Sequence, residues 1–100
     1  MNMSEVMRVP TSKFPLGQVV ATPGTIEAME ESGQSPSFFL GQHASGNWGV
    51  VDGEDWALND QAVRDGDRIL SAYVTLKGKK LWVLTEADRS VTTILLPDEY

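Results

Sequence analysis

The chain contains a single histidine, His43, so any imidazole acid or base must be this residue. It stands in the stretch HASGNWG, one helical turn after Phe39. A second polar cluster, Thr85-Glu86-Ala87-Asp88-Arg89-Ser90, sets two carboxylates, a guanidinium and two hydroxyls between apolar runs. One reading is enzymatic: His43 as acid or base, Arg89 or Arg68 steadying a phosphate, and Thr85 or Thr93 projecting from a sheet. The plainer reading makes His43 a capping or surface residue, since a helix C-terminus favours a cationic imidazole. TEADRS is then a turn in which Asp88 and Ser90 satisfy free backbone groups. Arg89 would pair there with Glu86 or Asp88, an exposed pair contributing at most about 1 kcal/mol. We favour the turn.

Other chemistries have less to work with. There is no cysteine, which excludes disulfides, thiol catalysis and thiolate metal sites. Zinc requires several convergent ligands, and no loop pattern here suits Mg²⁺ or Ca²⁺. Gly46 and Gly49 do not fall in a strand-to-helix nucleotide motif. No metal and no other cofactor is expected.

The net charge is −6, and the acidic groups are densest from Asp52 to Asp67. There Asp52, Glu54, Asp55, Asp60, Asp65 and Asp67 face only Arg64. Nucleic-acid binders neutralise phosphates with Lys and Arg, so direct nucleic-acid binding is not expected. Lys77, Lys79 and Lys80 read as a solvated hairpin tip guarding a sheet. An acidic field of this kind steers towards a protein partner with a basic surface, and Asp55, Asp60 and Asp65 are the candidate contacts. Trp48, between Asn47 and Gly49, is the indole expected to be partly exposed and available to that partner, whereas Trp56 and Trp82 are expected in the core. No apolar run approaches the roughly 18 residues of a membrane span, and no basic region followed by an apolar stretch opens the sequence. The expected location is cytoplasmic, without a membrane association.

These residues must be positioned by short elements. Residues 1–13 lack a steady period and contain Pro10, Thr11 and Ser12, which predicts a flexible arm. Residues 14–100 are expected to form one domain. GQVVAT, residues 17–22, predicts a short strand. Thr22-Pro23 and Ser35-Pro36 each read as an N-cap followed by proline at the first helical position, with Gly33 and Gly46 as the stops. Asp52 can cap a third helix that Gly66 ends. From Arg68 the apolar period becomes two, through Leu76, again over Leu81 to Thr85, and once more over Val91 to Leu96. Lys77-Gly78 and TEADRS are the connections. The expectation is an α+β fold: a short N-terminal strand and two to three short helices, then a three-stranded antiparallel β-meander.

The segments FPLGQVVATPG, HASGNWG, DRILSAY and LWVLTEADRSVTTILLPDEY resemble a widespread family of small uncharacterised bacterial proteins, often carried on plasmids and other mobile elements. The resemblance spans Phe14 to Tyr100, and TEADRS with the following TT and LLP is its most specific part. It implies bacterial origin and an accessory role rather than a reaction. Asn47 departs from the pattern, since relatives commonly carry an acidic residue before this tryptophan. A fold-level analogy also connects the order of elements with barnase- and RelE-like ribonucleases, although such nucleases are usually basic. The leading expectation is therefore a small acidic, soluble, non-enzymatic protein-binding or regulatory module. The alternative is a ribonuclease-like enzyme using His43, Arg89 and Thr85.

Overall fold

Each helix begins after a Thr, Ser or Asp in extended conformation. Two of these residues, Thr22 and Asp52, cap it through the side chain, whereas Ser35 makes no side-chain capping bond. In the computed structural model, which describes residues 12–100, Thr22 caps helix α1 (Pro23–Ser32) by accepting from the Thr25 N–H. Gly33 closes that helix in the left-handed conformation, at φ 71°. Helix α2 (Pro36–Ala44) starts at Ser35-Pro36 and ends at Ser45, one residue before the expected glycine. Helix α3 (Gly53–Asp65) is capped by the Asp52 carboxylate, which accepts from the Asp55 N–H at 2.8 Å, and Gly66 terminates it. Glu54 and Asp55 lie in its first turn, where the helix dipole favours negative charge.

Four strands form one sheet: β1 (Gln18–Ala21), β2 (Ile69–Val74), β3 (Lys80–Thr85) and β4 (Val91–Leu95), in the order β1-β4-β3-β2. Strands β2, β3 and β4 are the expected antiparallel meander. Strand β1 joins β4 in parallel, so the sheet as a whole is mixed. All three helices and two strands intervene between these partners, which supplies the long connection that a parallel pair requires.

Alternation along the strands sends Ile69, Ser71, Tyr73, Leu81, Val83, Thr85, Thr92 and Ile94 to one buried face. One part of the core joins Ala28, Met29 and Phe39 to Tyr73, Leu81, Val83 and Ile94. Another joins Phe14, Trp48, Ala62 and Ile69. The opposite face carries Leu70, Trp82 and Leu84, which with Arg68 and Tyr100 border a cleft of about 310 Å³. Trp56 and Trp82, expected in the core, are only half-buried. Trp82 stands on this second face, edge-on to Tyr100 at 5.8 Å.

The two edges of the sheet differ. Along β2, the Asn59 side chain donates to the Leu70 carbonyl (2.8 Å) and accepts from the Leu70 N–H (3.2 Å). The Val50 N–H donates to the Ala72 carbonyl, and the Ala72 N–H to the Trp48 carbonyl. That edge is covered at Leu70 and Ala72. Along β1, no described residue pairs with the outer edge.

Of the expected arm, residues 1–11 lie outside the described part of the chain. Residue 13 is held in place, since the Lys13 N–H donates to the Ala44 carbonyl at 2.8 Å.

Candidate functional site

The last turn of α2 delivers His43 against three hydroxyls, each from a different strand. The imidazole Nδ1 bonds the Ser71 hydroxyl of β2, and Nε2 lies 2.8 Å from the Thr85 hydroxyl of β3. Thr85 is bonded in turn to the Thr92 hydroxyl of β4 at 2.7 Å. Thr92 donates to the Leu16 carbonyl at 2.7 Å. A carbonyl can only accept, so this terminus fixes every proton upstream. Thr92 gives its proton to Leu16, Thr85 gives its own to Thr92, and the Thr85 oxygen therefore accepts from Nε2–H. Nδ1 is left as the acceptor for Ser71. The chain of bonds thus selects the neutral Nε2–H tautomer.

All four side chains are fully buried. Burial pushes the imidazole down to about 3, and the nearby Arg89 charge adds to the same direction. His43 is accordingly neutral through the ordinary pH range. It is neither a surface residue nor a charged cap, as the sequence suggested, but a satisfied polar group inside the core.

Phe14 is the hub of the surroundings. Its ring meets His43 edge-on at 5.2 Å and stacks on Trp48 at 6.1 Å, while the Arg89 guanidinium lies over it at 5.5 Å from the centroid. Trp48, expected to be exposed, is completely buried. The reason is a tertiary pairing: the 48–50 segment joins the edge of β2, turning the indole inward, and its Nε1–H donates to the Asp60 carboxylate at 2.9 Å. Asp60 is thereby engaged inside the protein rather than offered to a partner.

Arg89 occupies the expected turn, in the left-handed region at φ 61°. Among the described residues, its guanidinium pairs with no carboxylate. It donates instead to backbone carbonyls of Asp67 (2.7 Å), Ala62 (3.0 Å), Glu86 (3.2 Å) and Ala87 (3.3 Å). This one side chain ties the last turn of α3 to the β3–β4 turn. The expected pairing with Glu86 or Asp88 is replaced as follows: Glu86 lies 3.8 Å from Arg68, and Asp88 accepts from the N–H and hydroxyl of Ser90. Those two bonds hold the Asp88 carboxyl below its usual range.

His43, Trp48, Thr85 and Arg89 are therefore brought together, but in the interior. Thr93 faces the other side of the sheet, and Arg68 is exposed at its end, bonded to the Tyr100 hydroxyl at 2.7 Å. Asp55 and Asp65 are exposed on α3. Among the described residues, no group of three His, Asp or Glu side chains is arranged to hold a metal ion. Sequence reasoning passed over Ser71, Thr92 and Phe14. The hydroxyls did leave a signal, because Ser71, Thr85 and Thr92 are polar at inward positions where the alternation calls for apolar residues.

No family model, curated protein or solved structure matches the chain.

Proposed function

We propose that this is a protein-binding or regulatory module that presents the outer face of α3 to a basic surface on its partner. The observation that supports this reading is an exposed, uncompensated acidic stripe. Helical spacing places Glu54, Leu58, Gln61 and Asp65 along one line, with Asp55 beside it. Glu54, Asp55 and Asp65 are exposed, and Leu58 in their midst is 56% exposed. The one ion pair among the described residues is Arg68 with Glu86, so none of these carboxylates is paired with a described cation. Attraction to a cationic surface would accelerate encounter, and Leu58 supplies an apolar contact at the centre.

The ribonuclease reading required an imidazole in reach of substrate, and His43 is fully buried with both nitrogens bonded. The binding reading, including its cytoplasmic, bacterial accessory setting, draws instead on the charge and the resemblance. Among the described residues, no helix is long and apolar enough to cross a membrane.

The test is a pull-down from bacterial lysate with the wild type and with Glu54, Asp55 and Asp65 all changed to Lys. Asp60 is kept, because it bonds Trp48. Partners should be lost by the reversed protein and weakened in the wild type by added salt. Retention of every partner by the reversed protein overturns the proposal.

A further inference from the structure

The two edges of the sheet are treated so differently that the open one calls for an occupant. On β2 a side chain and a neighbouring segment cap the outward backbone groups of Leu70 and Ala72. On β1 the Gln18 N–H donates to Ser90 and the Thr22 N–H to Ile94, so residues 18, 20 and 22 direct their backbone groups towards β4. Val19 and Ala21 direct theirs outward. Unpaired edges of this kind are usually blunted by a charge, a proline or a bulge within the strand. QVVA has none of these, and Val19 and Val20 are 42% and 40% exposed.

We infer that β1 pairs antiparallel with β1 of a second copy of this chain across a twofold axis at Val20. The outward groups are self-complementary in that register. Val19 would face Ala21 of the other copy, and Ala21 its Val19, each pair exchanging two N–H to carbonyl bonds, four in all. Val20 would meet its equivalent across the axis as the closer, non-hydrogen-bonded pair, side chain against side chain. The charge distribution favours the same occupant. Two chains of net charge −6 repel, yet Phe14 to Ile26 holds no ionisable side chain of its own. The Glu99 carboxylate beside one end of the strand is engaged by Thr22 and the Gly24 N–H, so two copies meet least like charge along this edge. A four-residue edge falls well short of the roughly 1,000 Å² of lasting interfaces, so the dimer is reversible and concentration-dependent. Dimerisation joins two four-stranded sheets into one of eight strands.

Two measurements on the full chain decide the matter. In sedimentation velocity, the wild type should move from monomer to dimer as concentration rises, and Val20→Lys, which sets like charges across the axis, should weaken association by about tenfold or more. In the second, Val20→Cys is oxidised beside Leu58→Cys, a control on α3 that is more exposed than Val20 (56% against 40%). The chain has no other cysteine, so every disulfide passes through the introduced residue. Position 20 should cross-link rapidly and position 58 only slowly. A wild type that stays monomeric up to millimolar concentration overturns the inference, as it would if another protein or the chain's own first residues covered β1. Dimers that persist in Val20→Lys, or equal cross-linking at both positions, overturn it as well.

Discussion

The Nε2 atom of His43 and the hydroxyl of Thr85 lie 2.8 Å apart, both side chains wholly removed from solvent. This bond joins a helix to the central strand of the meander, and Thr85 passes the connection on to Thr92 in β4. A histidine placed this way answers to pH through stability.

Its folded pKa, near 3, is below the unfolded value of 6.5. The unfolded chain therefore takes up a proton as pH falls below 6.5, while the folded chain resists until about 3. Stability is fully present above pH 7 and declines through the window between the two values. Between pH 7 and 5, where most carboxylates remain ionised, the loss from this residue is about 2 kcal/mol. Urea denaturation across that range should show the slope in the wild type. His43→Gln, uncharged at either pH, should show little of it.

Arg89 acts as a clamp on carbonyls from α3 and from its own turn. Removing the side chain leaves those acceptors without a charged donor. Arg89→Ala should cost about 2–3 kcal/mol in chemical denaturation. Lysine keeps the charge but lacks the fork that reaches carbonyls on both sides, so Arg89→Lys should recover only part of the loss. Loss of the neighbouring positive charge should also let the His43 pKa rise, visible by NMR titration.

Asn59 takes the place of a neighbouring strand at Leu70, with its amide group making both bonds. Asn59→Ala should destabilise the protein by about 2 kcal/mol. Hydrogen exchange localises the effect, with the Leu70 amide accelerated more than those of β3.

Gly49 sits at φ 80° against β2, where an added Cβ would collide with the Ala72 carbonyl oxygen and come within 2.7 Å of the Tyr73 ring. Gly78 has a similar φ of 85° and open space around it. Comparing the two separates crowding from backbone conformation. Gly78→Ala should cost about 1 kcal/mol from the left-handed backbone alone, and Gly49→Ala at least about 3 kcal/mol by thermal or urea denaturation.

The sequence by itself determined the local elements of this protein. Thr22, Ser35 and Asp52 mark the helix starts, Gly33 and Gly66 the stops, and the two-residue period the meander, because caps, left-handed glycines and alternation act between neighbours in the chain. The turn at Asp88–Ser90 belongs to the same class, since its bonds span two residues. Only the tertiary structure decided what the polar residues do. His43 meets Ser71 and Thr85 across 28 and 42 residues, and Thr92 meets Leu16 across 76. Trp48 looked exposed because a turn surrounds it in sequence, yet pairing of the 48–50 segment with β2 carries it inside. Whether a polar side chain is a reactive group or a satisfied core residue depends on the groups that surround it in space, and the backbone pairings that bring those groups together connect distant parts of the chain.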